Sequence, residues 1–195
     1  MGTVKRISFA GAICAALYLA NFASAQKATQ WVPTKSILEK LSAPTSIGAY
    51  EIRSPKGYEA KTREGGNGFK MTLWFGPQRA NGTRAGLTLV VMPEPPTDVK
   101  PTLEELMRLA LEDQKGLRTE WKVSPSERGD INGIRFMRAY WSGASRQYKQ
   151  SLRGFIYVAQ VGKRFVQIGG QDVEPYQKET LPLVEAATMT FKKRE

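Results

Sequence analysis

The chain predicts an α+β domain, a mostly antiparallel β-sheet of about six strands packed with helices. Three observations predict it. Stretches of period-two apolar alternation recur along the sequence, joined by short turn segments. Two helical patterns interrupt them, one in mid-chain and one near the end. The later strands carry large apolar residues on both parities, as a sheet covered on both faces requires.

The first 25 residues read as a secretory leader. Lys5 and Arg6 form its basic n-region, Ile7 to Ala20 its apolar stretch, and Ala23-Ser24-Ala25 the small residues a signal peptidase reads. Cleavage is expected after Ala25, with an exported product, periplasmic or extracellular. The apolar run is about 14 residues, short of the ~20 of a bilayer span, so no transmembrane span is expected after cleavage. Removing 25 of 195 residues leaves 170, one domain by length. The chain has no histidine, and its one cysteine, Cys14, lies in the leader. The exported product would lack the commonest metal ligands, the commonest general base and any disulfide. No cofactor is expected. Removing Lys5 and Arg6 from a chain of net charge +11 leaves +9.

Residues 26–46 form an N-terminal segment. Gln26 to Gln30 is polar and predicted to fray. Thr34 to Leu41 predicts a short helix, with Ile37, Leu38 and Leu41 on one face after Pro33. Ser42 to Ser46 is a turn-rich connection. The domain proper runs over 47–195. Ala49 to Arg53 is a short strand, ended by Ser54-Pro55-Lys56-Gly57. Phe69 to Phe75 alternates, with Phe69, Met71, Leu73 and Phe75 on one side and Lys70, Thr72 and Trp74 on the other. Asn81-Gly82 marks a turn, and Gly86 to Met92 returns as a second strand. A proline-rich bridge, Pro93 to Pro101, leads to the strongest helix, capped by Thr102 with Glu105 three residues on. Leu103, Leu106, Met107, Ala110 and Leu111 line its buried side, and Gly116 ends it. Glu120 to Ser124 is a weaker strand, and Asp130 to Gly133 a turn into a strand at Ile134 to Trp141. Leu152 to Gln160 and Arg164 to Gly170 form a hairpin across Val161-Gly162-Lys163. A final helix runs from about Pro175 to Met189, restarting at a Thr180 cap because of Pro182. Phe191 closes the core before a basic tail.

Five segments together resemble the PsbP-like family: Asn132-Gly133 leading into Tyr140-Trp141-Ser142-Gly143, then Gly154-Phe155-Ile156-Tyr157-Val158, Gly162-Lys163-Arg164-Phe165-Val166, the closing helix to Phe191, and the upstream helix at Thr102–Lys115. The resemblance covers roughly Ile47 to Phe191. It implies the α/β/α sandwich shared with a Ran-binding nuclear import factor and many small exported bacterial proteins. It also implies a role in binding or assembly. No residue here matches the sites that give photosynthetic members their manganese-cluster role.

Charge is unevenly spread. No acid occurs between Asp130 and Asp172, yet seven bases do. Arg135, Arg138, Arg153, Lys163 and Arg164 are the candidate surface for an anionic partner, either an unknown protein or an anionic envelope polymer. The competing reading is that these residues are solvated edges and loop tips. Phe136, Tyr140, Phe155 and Tyr157 interleave with them and read as core, and export makes nucleic acid an unfavoured partner. Asn81-Gly82-Thr83 fits a glycosylation sequon but is equally a turn.

Catalytic patterns are thin, and no enzyme is expected. Ser36 to Lys40 lacks the S-x-x-K spacing, and Glu64 to Gly68 lacks the lysine and hydroxyl of a phosphate loop. The sequence therefore predicts a non-catalytic exported binding or assembly module. The alternative is a carboxylate-dependent hydrolase of envelope polysaccharide, which would need Asp130 beside Asp172 or Glu174 in a cleft, about 5–10 Å apart.

Overall fold

The computed structural model describes residues 29–96, 101–147 and 149–194. The leader with Cys14, the cleavage point after Ala25 and the middle of the proline-rich bridge lie outside the described residues. In chain order the elements are β1 (Thr29–Gln30), α1 (Lys35–Leu38), β2 (Thr45–Ile47), β3 (Tyr50–Ile52), β4 (Glu59–Glu64), β5 (Lys70–Phe75) and β6 (Gly86–Val91). Then come α2 (Leu103–Gly116), β7 (Arg118–Val123), β8 (Glu127–Ile131), β9 (Ile134–Ser145), β10 (Ser151–Val161), β11 (Arg164–Val173), α3 (Gln177–Thr188) and β12 (Lys192–Lys193).

The architecture is α+β, but the sheet is larger than the six strands expected. Nine strands form one sheet in the order β1-β8-β9-β10-β11-β6-β5-β4, with β7 also on β9, and β12-β3-β2 make a second sheet of three. The strands missing from the sequence reading are charged or very short. β4 reads Glu-Ala-Lys-Thr-Arg-Glu and is exposed throughout, so it carries no apolar alternation. An edge strand needs only a ladder on one side, and charge protects its other side from pairing. β8 is likewise polar and shares with β7 one edge of β9, β8 on its first half and β7 on its second. Thr29 and Gln30 do not fray. They pair in parallel with Gly129 and Asp130, because Trp31 is buried just beyond them.

The β9–β10–β11 ladder is the centre of the molecule, and Gly154 to Ala159 are buried on both parities. α2 covers one face through Leu106, Met107 and Ala110, packed on Met137, Trp141, Ile156 and Phe165. The Thr102–Glu105 capping box that starts α2 is present in both directions. The other face packs Phe136, Phe155, Tyr157 and Ile168 against Val184 and Ala187 of α3, with Phe191 and the small sheet beyond. On β5, Thr72 and Trp74 are the buried side, and Met71, Leu73 and Phe75 stay half-exposed. Helix α3 begins at Gln177 rather than at a Thr180 cap, and Pro182 sits inside it. The Thr180 hydroxyl instead donates to Asp172, which ties α3 to β11. Pro182 falls early in α3, where its missing amide loses only one hydrogen bond of the helix.

Candidate functional site: a basic recess at one end of the sheet

The β10–β11 turn carries Lys163 and Arg164 to one end of the large sheet. The β2–β3 turn of the small sheet faces it, and between them lies a recess of about 360 Å³. Lys70, Tyr50, Glu94, Lys163, Arg164 and Lys193 line it. Arg164 donates from Nη1 to the Gly68 carbonyl at 2.9 Å and lies 3.9 Å from Glu94. Gly68 has φ +80°, and a Cβ there would strike the Arg164 guanidinium at 2.7 Å. Only glycine therefore lets this arginine brace the loop. Lys70 pairs with Glu64 at 2.6 Å. Among the described residues no carboxylate pairs with Lys163 or Lys193. Burial raises the Tyr50 pKa, so its hydroxyl stays neutral in the wall of the recess. Arrangements like this attract anions through charge and hold them by donated hydrogen bonds.

The five basic residues named from sequence do not form one surface. Lys163 and Arg164 lie together in the recess. Arg135 stands on β9 near the same end but is bonded to Asp130. Arg153 is at the opposite end of β10, paired with Glu174 at 2.9 Å. Arg138 is turned inward. Its Nε and Nη2 donate to Glu127 at 3.1 and 2.9 Å, and its guanidinium lies 4.3 Å from the centre of the Trp31 ring. Glu185 of α3 accepts from Tyr157 at 2.6 Å, from Tyr140, and from Arg138 at 3.4 Å. Burial opposes the Arg138 charge, but bonds to Tyr157 and Glu127 outweigh it and hold its pKa above the arginine range. The run without acids between Asp130 and Asp172 is thus answered in space by carboxylates from β8, α3 and the β11–α3 link. Lys70 and Lys193 escaped the sequence reading. The only available signal was that Lys193 sits in a basic tail and Lys70 begins a strand.

The carboxylates of the hydrolase alternative are kept apart. Asp130 is bonded to Arg135 at the start of β9, whereas Asp172 is paired in register with Arg153 near the start of β10. At ~3.3 Å per residue, roughly 20 Å of strand separates them, against the ~5–10 Å of paired glycosidase carboxylates. Asp172 is also fully enclosed. Both its oxygens accept from Arg79, at 2.7 and 2.6 Å, and it takes the Val173 amide and the Thr180 hydroxyl as well. Burial of Tyr58, with the Asp172 charge second, pushes the Tyr58 hydroxyl up to about 12.

Comparison with known proteins bears on the fold. No family model matches the chain, and no curated protein matches its sequence. Solved structures do match. Cyanobacterial PsbP (CyanoP) from Synechocystis sp. PCC 6803 superposes with a TM-score of 0.57 at 14% identity, over 79% of this chain and 92% of that one. The fold is PsbP-like. PA94 of Pseudomonas aeruginosa, a protein of unknown function, gives a TM-score of 0.52 at 8% identity, over 80% of this chain and 98% of that one. LpqN of Mycobacterium tuberculosis, involved in cell envelope biogenesis, gives 0.50 at 11% identity, over 85% and 99%. At such identities the PsbP-like likeness concerns architecture alone. Among the described residues, no helix is long and apolar enough to cross a membrane.

Proposed function

We propose that this chain is an exported, non-catalytic binding or assembly module. Its PsbP-like scaffold presents the recess of Lys70, Lys163, Arg164 and Lys193 to an anionic envelope polymer. The observation that carries the reading is the pairing state of Lys163 and Lys193. These two cations share a recess with Arg164 and touch no carboxylate of the described residues, whereas most arginines along the sheet are paired. The charge of +9 without the leader supports it. The separation of Asp130 from Asp172 supports the non-catalytic part. The leader pattern, with the envelope role of LpqN, supports action outside the cytoplasm.

The test is chromatography of the purified protein on immobilised heparin as a model polyanion. Retention at low ionic strength and release by moderate salt are expected, because screening shortens the reach of exposed charges to about 10 Å near 0.1 M salt. Lys163→Glu with Lys193→Glu should elute at clearly lower salt, and Arg153→Glu, at the other end of the sheet, should elute like the parent. Flow-through of the parent protein, or equal shifts for both variants, defeats the proposal. Recovery of a secreted form beginning at Gln26 tests the export part.

A further inference from the structure

A second cationic site lies elsewhere, some 20 Å along β11 from the basic turn at ~3.3 Å per residue. Arg118 follows directly after α2 and is only 5% exposed. Its Nη1 donates to the Gln114 carbonyl at 2.7 Å, at the end of α2, and its Nη2 to the Gln171 amide oxygen at 2.6 Å. Nε has no acceptor among the described residues. The guanidinium lies 3.9 Å from the centre of the Trp141 ring, and the Trp141 indole Nε1 is also buried without an acceptor. Both side chains line a cavity of about 200 Å³ on the α2 face of the sheet, together with Thr88, Leu117, Gln167 and Gln171. No carboxylate of the described residues pairs with Arg118, and burial alone pushes its pKa down to about 10.

This is a buried cation offset only by neutral dipoles: the helix end, an amide and an aromatic face. Nε and Nη2 form the side-on fork of a guanidinium, and here a neutral oxygen holds one prong and nothing holds the other. The same fork of Arg138 carries Glu127 on both prongs. A planar carboxylate fits that fork with two parallel bonds. One uncompensated positive charge calls for one negative charge, and a dianion would leave a buried excess. Trp141 and Leu117 offer contact to an apolar group behind the acid. The cavity is below the ~300–1,000 Å³ of drug-sized ligand sites, so the ligand is small.

We infer that the cavity beside Arg118 binds a small organic monocarboxylate, its carboxylate on Nε and Nη2 of Arg118 and its apolar part against Trp141. Gln171 gives up its bond to Nη2 on binding and stays at the wall of the cavity. This site is separate from the recess proposed above and does not depend on that reading.

Benzoate is the probe, titrated into the purified protein and followed by calorimetry and tryptophan fluorescence. Trp141, stacked on Trp121 at 5.6 Å, is the reporter. Saturable binding is expected, and inorganic phosphate should bind more weakly. Gln171→Glu places a carboxylate of the protein itself on the fork. It should melt higher than the parent and bind benzoate about tenfold more weakly or worse. Arg118→Met should lose binding, and Gln171→Glu keeps the test decisive if that variant does not fold. Lys163→Glu should bind benzoate as the parent does. No saturation with benzoate, unchanged binding in Gln171→Glu, phosphate binding as tight as benzoate, or equal loss in Lys163→Glu would each overturn the assignment.

Discussion

Arg138 and Arg118 lie on opposite faces of the sheet, and each guanidinium rests on a tryptophan ring, at 4.3 Å from Trp31 and 3.9 Å from Trp141. Beyond that their surroundings part. Around Arg138 two carboxylates, Glu127 and Glu185, and two tyrosine hydroxyls complete a closed network between β8, β9, β10 and α3. Among the described residues every partner of Arg118 is neutral, and one donor has none. A buried cation with its counter-charges acts as a fastener of the fold. A buried cation without them is held in place by packing and keeps its capacity for an added anion. The two arginines look alike in sequence and differ in what the fold brings to them.

The largest expected effect separates them directly. Arg138→Met strands Glu185 and the two tyrosines in a partly buried site, and should lower the free energy of unfolding by about 3 kcal/mol. Arg118→Met removes a charge that has no counter-charge and supplies a side chain of similar length. It should stay within about 1 kcal/mol of the parent, on either side. Urea unfolding of both variants is the measurement. Equal losses would dissolve the contrast.

Trp31 offers the next test, because it is the lid of the Arg138 network and the anchor of β1. A Cβ on Gly129 would meet the indole at 2.4 Å, so the two are fitted to each other, and Trp31 also packs edge-on against Tyr157 at 5.3 Å. Trp31→Ala should cost about 2–3 kcal/mol, the lower part of the range for deleting a buried aromatic, since this one sits at an edge. It also lets solvent reach Arg138 and Glu185. Added salt should then weaken the variant more than the parent. Salt responses that match would show that the network is screened already.

The contrast also explains what could be read from the sequence. The Thr102–Glu105 cap, the β5–β6 pair and the β10–β11 hairpin are legible because local chemistry or alternation marks them. β4 and β8 are not, because an edge strand with charged side chains looks like a loop. The sequence places Arg138 on the candidate surface for an anionic partner. Its burial depends on Glu185, 47 positions away, and on Trp31, whose strand pairs in parallel across the sheet edge. Lys163 and Arg164 are legible as a hairpin tip, whereas Lys70 joins them through the β5–β6–β11 ladder and Lys193 through the small sheet. Arg118 carries no local mark at all. A guanidinium after a helix end is ordinary, and its contacts with the Trp141 ring and the Gln171 amide join residues distant in the sequence.

The smallest effect is a difference in alkaline behaviour. Burial, reinforced by the charge of Glu185, raises the pKa of Tyr157, and burial with the Glu185 hydrogen bond raises that of Tyr140. Free tyrosine titrates near 10. Above pH 10 the unfolded chain therefore releases protons that the folded network still holds, and stability falls as pH rises. The stabilisation from these hydroxyls is complete below pH 10 and is lost progressively above it. Tyr157, fully buried, sets a slope of up to about 1.4 kcal/mol per pH unit. Tyr140→Phe with Tyr157→Phe should flatten this limb, leaving the share of Tyr58, whose hydroxyl burial pushes up to about 12, and of Tyr50, which burial also raises. Arg118→Met should not flatten this limb, since no tyrosine faces that cavity. It removes a cation whose pKa burial pushes down to about 10 and whose release of a proton in the folded state offsets part of the loss, so the fall should steepen. Unfolding free energies measured between pH 9 and pH 11 decide the matter: a limb unchanged by the tyrosine pair would place the alkaline loss outside the Arg138 network.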